Sequence, residues 1–180
     1  MLKISCNYSD GKTLSQQINL QFHQKLDGHN GTVISVDWNR YYGKLASTDD
    51  TGETILWNWF DKKLFAERRK KTKKRKVKKL KWNNDGNYLC LLYEDGKVLL
   101  MSKEGNKVWS RTLEKSTCFC WTSFGEILFG SANGILSSSS LDGMKKVEHP
   151  KKRNSRIVSI EWLVSIFLFA SLHYKSNMKN

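Results

Sequence analysis

The sequence predicts an all-β protein assembled from repeats of about 40 residues, and three observations carry that reading. Trp38, Trp82, Trp121 and Trp162 recur at intervals of 44, 39 and 41 residues. Each closes a short run of alternating character, the period-two signature of a half-buried strand. A glycine follows the first three in the same phase: Gly52 and Gly96 lie 14 residues on, and Gly134 lies 13 on. Two markers in one phase at a period near 40 match a propeller blade, a four-stranded antiparallel sheet repeated around an axis.

The elements follow in order. Residues 1–25 are read as a partial outer strand at 2–5 and a polar loop at 10–22, belonging to a preceding blade. The first complete blade spans about 26–70, with strands at 32–38, 44–48, 53–59 and 64–68. The second, about 71–112, has strands at 77–82, 88–93, 97–102 and 107–112, separated by Asp85-Gly86, Asp95-Gly96 and Gly105-Asn106. Asp-Gly and similar pairs supply the positive φ that tight hairpins need. The third, about 113–156, turns at Gly125, Gly134 and Gly143, and its third strand degrades into the serines 137–140. A further blade begins at 157–162, and 163–180 is a tail that matches no repeat. Three complete blades with partial blades at both ends make a segment of a propeller, so a fragment or truncated paralogue is expected.

Composition bounds the function. The net charge of +14 is concentrated: residues 62–81 hold 13 Lys/Arg and one acid, Glu67, leaving the rest near neutral. The core of that run, Arg68, Arg69, Lys70, Lys71, Lys73, Lys74, Arg75 and Lys76, is read as an inter-blade loop. It is either a solvated connection or a candidate patch for acidic protein tails or anionic lipid headgroups, since such attraction is not sequence-specific. Nucleic acid is disfavoured, because no aromatic residue lies between Phe65 and Trp82 to stack bases. Cys6, Cys90, Cys118 and Cys120 form no CxxC pair and read as buried thiols. The apolar run 162–172 rises only about 16 Å as a helix, half a bilayer core, so no transmembrane segment is expected. Residues 1–8 lack the apolar stretch of a signal peptide. The four histidines are scattered, with no phosphate loop or arguable carboxylate pair, so no enzyme, cofactor or metal site is predicted.

Gly28-His29, the strand closing at Trp38, Leu45-Ala46-Ser47 and the run from Gly52 to Trp57-Asn58 together resemble a WD-repeat blade. That resemblance implies a structural hydrogen-bonded set of His29, Ser47, Asp50 and Trp57, with Trp38, Trp82, Trp121 and Trp162 in the blade cores. Ser47 or Thr48 supplies the hydroxyl and Asp49 or Asp50 the acid, with Asp50 taken as the lead. A narrower resemblance rests on Val36-Asp37-Trp38-Asn39, Trp82-Asn83-Asn84-Asp85-Gly86, Tyr93-Glu94-Asp95-Gly96 and Gly105-Asn106-Lys107-Val108-Trp109. These are similar to the N-terminal propeller of the WD-repeat subunits of intraflagellar transport complex A; tubby-like proteins with WD repeats carry a related one. The resemblance implies a non-enzymatic scaffold for retrograde ciliary transport, cilium assembly and ciliary entry of membrane proteins. Its implied partners are other complex A subunits, and its implied places are cytoplasm, cilium and basal body. The alternatives are a basic nuclear WD-repeat protein in an RNA-processing assembly, a tubby-like protein, or a non-functional gene fragment.

Overall fold

A computed structural model describes residues 2–7, 21–72, 75–143, 146–149 and 155–162. All of the regular structure in them is strand. β1 (Leu2–Asn7) and β2 (Gln21–Leu26) pair antiparallel as a two-stranded sheet. Three four-stranded antiparallel sheets follow, each wound in chain order from one edge to the other. The first blade holds β3 (Val33–Asn39), β4 (Lys44–Asp49), β5 (Glu53–Phe60) and β6 (Lys63–Lys71). The second holds β7 (Val77–Trp82), β8 (Tyr88–Tyr93), β9 (Lys97–Ser102) and β10 (Lys107–Thr112). The third holds β11 (Ser116–Trp121), β12 (Ile127–Ser131), β13 (Leu136–Ser139) and β14 (Lys146–His149).

The repeat seen in the sequence is a repeat of register. Trp38 lies opposite Leu45, Trp82 opposite Leu89 and Trp121 opposite Ile127. The first strand of every blade shifts register near its start, between Val33 and Ser35, Val77 and Lys79, and Ser116 and Cys118. Such a bulge adds twist at one defined point, here the same point three times. Gly52 and Gly96 also occupy one position, at φ +85° and +79°. A Cβ on Gly52 would stand 2.3 Å from the Arg75 carbonyl oxygen, and one on Gly96 would stand 2.6 Å from that of Leu113. Conformation and crowding by the next blade therefore both require glycine there.

Blades stack through the alternating faces of their strands. Ala46 and Leu56 of the first blade pack with Leu80, Trp82, Leu89 and Leu91 of the second. The other face of the second, Cys90, Leu92, Val98 and Leu100, packs on Phe119, Trp121, Ile127 and Phe129 of the third. Because both faces of β8 are covered, Leu89 through Tyr93 are all buried. Each fully buried leucine contributes roughly 1.5–3 kcal/mol, so these inter-blade cores dominate the stability.

The structure corrects three expectations. The strand expected at 2–5 is not alone: it pairs with β2, which starts within the last two residues of the expected loop at 10–22. At 157–162, where a further blade is expected to begin, Ile157 and Ile160 pack on Cys118, Cys120 and Leu128 of the third blade; the residues that would complete that blade lie outside the described ones. Trp38 is not a core residue. It is 42% exposed beside Ile34 and Val36, whereas Trp82 and Trp121 are each 4% exposed, because no described sheet covers that face of β3. Finally, β6 runs on to Lys71, so Arg68, Arg69, Lys70 and Lys71 lie on a strand and not in a loop. Pairing with β5 satisfies the backbone groups on one side of β6, and an outermost strand can send long cationic side chains to solvent.

Candidate functional site

The polar set of the first blade assembles where β4 and β5 meet the segment entering β3. Ser47 Oγ accepts the Trp57 indole N–H at 2.8 Å and lies 2.6 Å from His29 Nε2. His29 Nδ1 lies 3.0 Å from Asp49 Oδ2. An ionised carboxylate only accepts, so the ring proton facing Asp49 sits on Nδ1. Asp49 is the acid of this set and Asp50 is not, which corrects the sequence reading. Asp50 Oδ1 instead accepts the Thr32 backbone N–H at 3.0 Å, pinning the hairpin to the chain before β3. Asp49 is the last residue of β4 and Asp50 the first of the turn, and their carboxylates take the neighbouring backbone N–H groups of Gly31 and Thr32.

Asp49 is saturated. Its Oδ1 accepts from Thr51 N, Thr51 Oγ1 and Glu53 N, and its Oδ2 from His29 and Gly31 N. Burial alone pushes its carboxyl up, but the hydrogen bonds from Thr51, Glu53, His29 and Gly31 outweigh that and hold it at about 2. Ser47, His29 and Asp49 thus touch in the order of a Ser-His-Asp triad, yet Ser47 is fully buried and its oxygen already holds the Trp57 N–H. No substrate reaches such a hydroxyl. His29, Asp49 and Glu53 also bring three ligand atoms within 4.8 Å of one another. Asp49 is filled by five of the protein's own N–H and O–H donors and acts as a structural clasp, while Glu53 Oε2 beside it is buried without a hydrogen-bond partner.

The inner-strand tryptophans hold blade to blade. Trp121 Nε1 donates to the Lys81 carbonyl at 3.0 Å, and Trp162 Nε1 to Ser123 Oγ at 3.2 Å. The Trp82 indole N–H is buried without a partner, but its backbone N–H donates to Asp37 Oδ2 at 2.7 Å. Burial raises the Asp37 carboxyl against that bond and the nearby Lys81 and Lys79 charges. Of the described cysteines, Cys90, Cys118 and Cys120 are free and buried. Burial pushes the Cys90 thiol far up and Cys120 to about 11, so neither is a reactive thiolate.

The basic run divides by partner. Arg69 bridges the Gly28 carbonyl at 2.5 Å and stands 3.7 Å from Glu53, bracing the clasp. Arg75 pairs with Asp95 at 3.0 Å, across to the next blade. Arg68 donates to the Glu104 carbonyl and to Asn106 Oδ1, both at 2.9 Å. Lys71 and Lys76 are exposed, and Lys73 and Lys74 lie outside the described residues. Lys70 is half-buried and has no acidic partner among the described residues. Sequence order also hides two cations of the second blade, Lys97 and Lys107, that the fold brings to the same cleft as Arg68 and Lys70. Only the strand register could have signalled them.

Three comparisons bear on this architecture. A family profile described as WDR35/TULP4 N-terminal matches residues 1–175. WD repeat-containing protein 35 of Homo sapiens is 31% identical over 179 residues, covering 97% of this chain and 15% of that protein. Tubby-related protein 4 of Mus musculus is 30% identical over 161 residues, covering 87% of this chain and 10% of that protein. The chain therefore spans less than a sixth of the length of either relative. The crystal structure of the C-terminal WD40 domain of Sif2 superposes with a TM-score of 0.62 at 19% identity, over 73% of this chain and 40% of that one, a likeness of fold alone.

Proposed function

We infer function from one premise: the chain belongs to the WDR35/TULP4 N-terminal β-propeller family. We propose that it is a non-enzymatic protein-interaction scaffold of intraflagellar transport complex A, serving retrograde ciliary transport, cilium assembly and ciliary entry of membrane proteins. The observation that carries the reading is the match to human WD repeat-containing protein 35 over 179 residues. Motifs such as Tyr93-Glu94-Asp95-Gly96, which make the turn between β8 and β9, agree with it. The site chemistry supports the scaffold reading, since its one triad-like set is buried and self-satisfied. The proposed partners are other complex A subunits, and the proposed places are the cytoplasm, basal body and cilium.

Tagged full chain expressed in ciliated cells, followed by affinity purification, tests this. Recovery of complex A subunits and basal-body localisation are the expected results. Nucleolar enrichment with RNase-sensitive partners would replace the reading with the nuclear alternative.

A further inference from the structure

We propose that the cleft between the outer strands of the first two blades is a docking groove for an extended acidic segment of a partner protein. Arg68 and Lys70 on β6 form one wall; Lys97 on β9 and Lys107 on β10 form the other. The inference rests on the scaffold reading and names the chemistry of one partner.

Register places the four side chains. Arg68 lies opposite Leu56 and Lys70 opposite Thr54. Leu56 belongs to the core shared with the second blade, so alternation turns Arg68 and Lys70 toward that blade. Lys107 lies opposite Met101, and Lys97 is two residues from Leu99. Met101 and Leu99 belong to the same shared core, so these lysines face the first blade. Arg68, Lys107 and Lys97 all lie close enough to act on the Lys70 charge, and none of the four has an ion-pair partner among the described residues. The acid on this side, Glu67, is already held by Lys44, whose ammonium also reaches the Lys103 carbonyl of the second blade. Glu104 offers Arg68 only its carbonyl oxygen. The Lys70 ammonium is pushed below its ordinary range, first by burial and then by Arg68, Lys107 and Lys97. A recessed cation crowded by three others gains more from an incoming carboxylate than an exposed one does.

The shape of the walls selects the occupant. β6 is the outermost strand of its sheet. The Gln24 side chain caps the N–H and carbonyl of Leu64 at its start, and beyond that point the edge bearing Arg68 and Lys70 pairs with no described strand. A peptide added there would pair its backbone with β6 and direct every second side chain into the groove, about 6.8 Å apart. Arg68 and Lys70 repeat at that spacing along β6. Acidic residues at alternate positions of a partner would therefore meet the row in register. Lipid headgroups and polynucleotides have no peptide backbone to pair with the edge, and a planar bilayer reaches only the rims.

The test uses the full chain and a fluorescein-labelled decaglutamate peptide, with binding read by anisotropy at low salt. Neutralising the groove by Arg68→Gln, Lys70→Gln, Lys97→Gln and Lys107→Gln should weaken binding at least about tenfold. A control removing four exposed cations elsewhere, Lys63→Gln, Lys76→Gln, Lys78→Gln and Lys81→Gln, should weaken it less than about threefold. Circular dichroism checks both folds. If the groove variant fails to fold, the pair Lys97→Gln and Lys107→Gln leaves β6 intact and should still weaken binding about threefold. Equal losses in groove and control variants would overturn the proposal, as would tighter binding to phosphatidylserine vesicles or polyuridylate than to the peptide. Failure here with complex A recovered intact would leave the scaffold reading standing.

Discussion

The first and second blades share a backbone plan and differ in what fills it. Both place a bulge near the start of the first strand, a glycine at the second hairpin and a tryptophan at the end of the inner strand. Ser47 in the first corresponds by register to Leu91 in the second, Asp49 to Tyr93, and Trp57 to Met101. Where the first blade holds a hydrogen-bonded clasp, the second holds Leu91, Leu99, Met101 and the Tyr93 ring in one apolar cluster. The blade is therefore specified by register, bulge and turn glycine, and its interior admits two chemical solutions. A clasp gains its worth from complete satisfaction; an apolar interior gains it from area. The two should fail differently.

The largest effects come from the centre of each interior. Asp49→Ala removes the acceptor of five hydrogen bonds and orphans buried N–H groups, each costing about 1–3 kcal/mol. A loss of about 4 kcal/mol in chemical denaturation is expected. Leu91→Ala in the second blade creates a cavity and should cost about 3 kcal/mol. His29→Ala and Ser47→Ala should couple non-additively by about 1 kcal/mol, because they share one network. Additive losses at those two positions would mean the clasp is three separate contacts.

The clasp should also make the first blade sensitive to acid. Asp49 is held at about 2, below its ordinary 3.8, so its contribution is full above pH 4 and is lost as pH falls toward 2. The difference is about 2 kcal/mol. Stability measured from pH 5 to 2 should therefore fall more steeply in the native chain than in Asp49→Asn. Parallel curves would show that the carboxylate is not the acid-labile group.

Much of this is legible in the sequence. Tryptophan and glycine spacing located the blades because both residues serve the register, which is periodic by construction. The choice between Asp49 and Asp50 is not legible, since both carboxylates end on neighbouring N–H groups of the segment entering β3, and only the hairpin geometry decides which one meets His29. Trp38 misled for a related reason. Its local pattern equals that of Trp82, but burial is conferred by the neighbouring sheet and not by the strand itself. The basic run was read as a loop because consecutive like charges look solvated; the outermost strand of a sheet tolerates them equally well. Lys97 and Lys107 gave no signal in the sequence, because only inter-blade packing sets them against Arg68 and Lys70.

The smallest expected effects extend the comparison along the inner strands. Trp38, Trp82 and Trp121 are equivalent by register, so tryptophan-to-phenylalanine changes remove the same atoms from three environments. Trp121→Phe loses a partly buried hydrogen bond to the Lys81 carbonyl as well as packing. Trp82→Phe loses packing only, and it removes an indole N–H that burial leaves unsatisfied. The two costs should differ by about 1 kcal/mol, the net worth of one such bond, with Trp121→Phe the greater. Trp38→Phe should change stability by less than about 0.5 kcal/mol, as a half-exposed side chain without tertiary bonds. Denaturant midpoints of the three variants at constant m-value read these differences directly. If Trp38→Phe proved as costly as Trp121→Phe, the face of β3 bearing Ile34, Val36 and Trp38 would be covered in solution, and the contrast between the blades would lie in their cores alone.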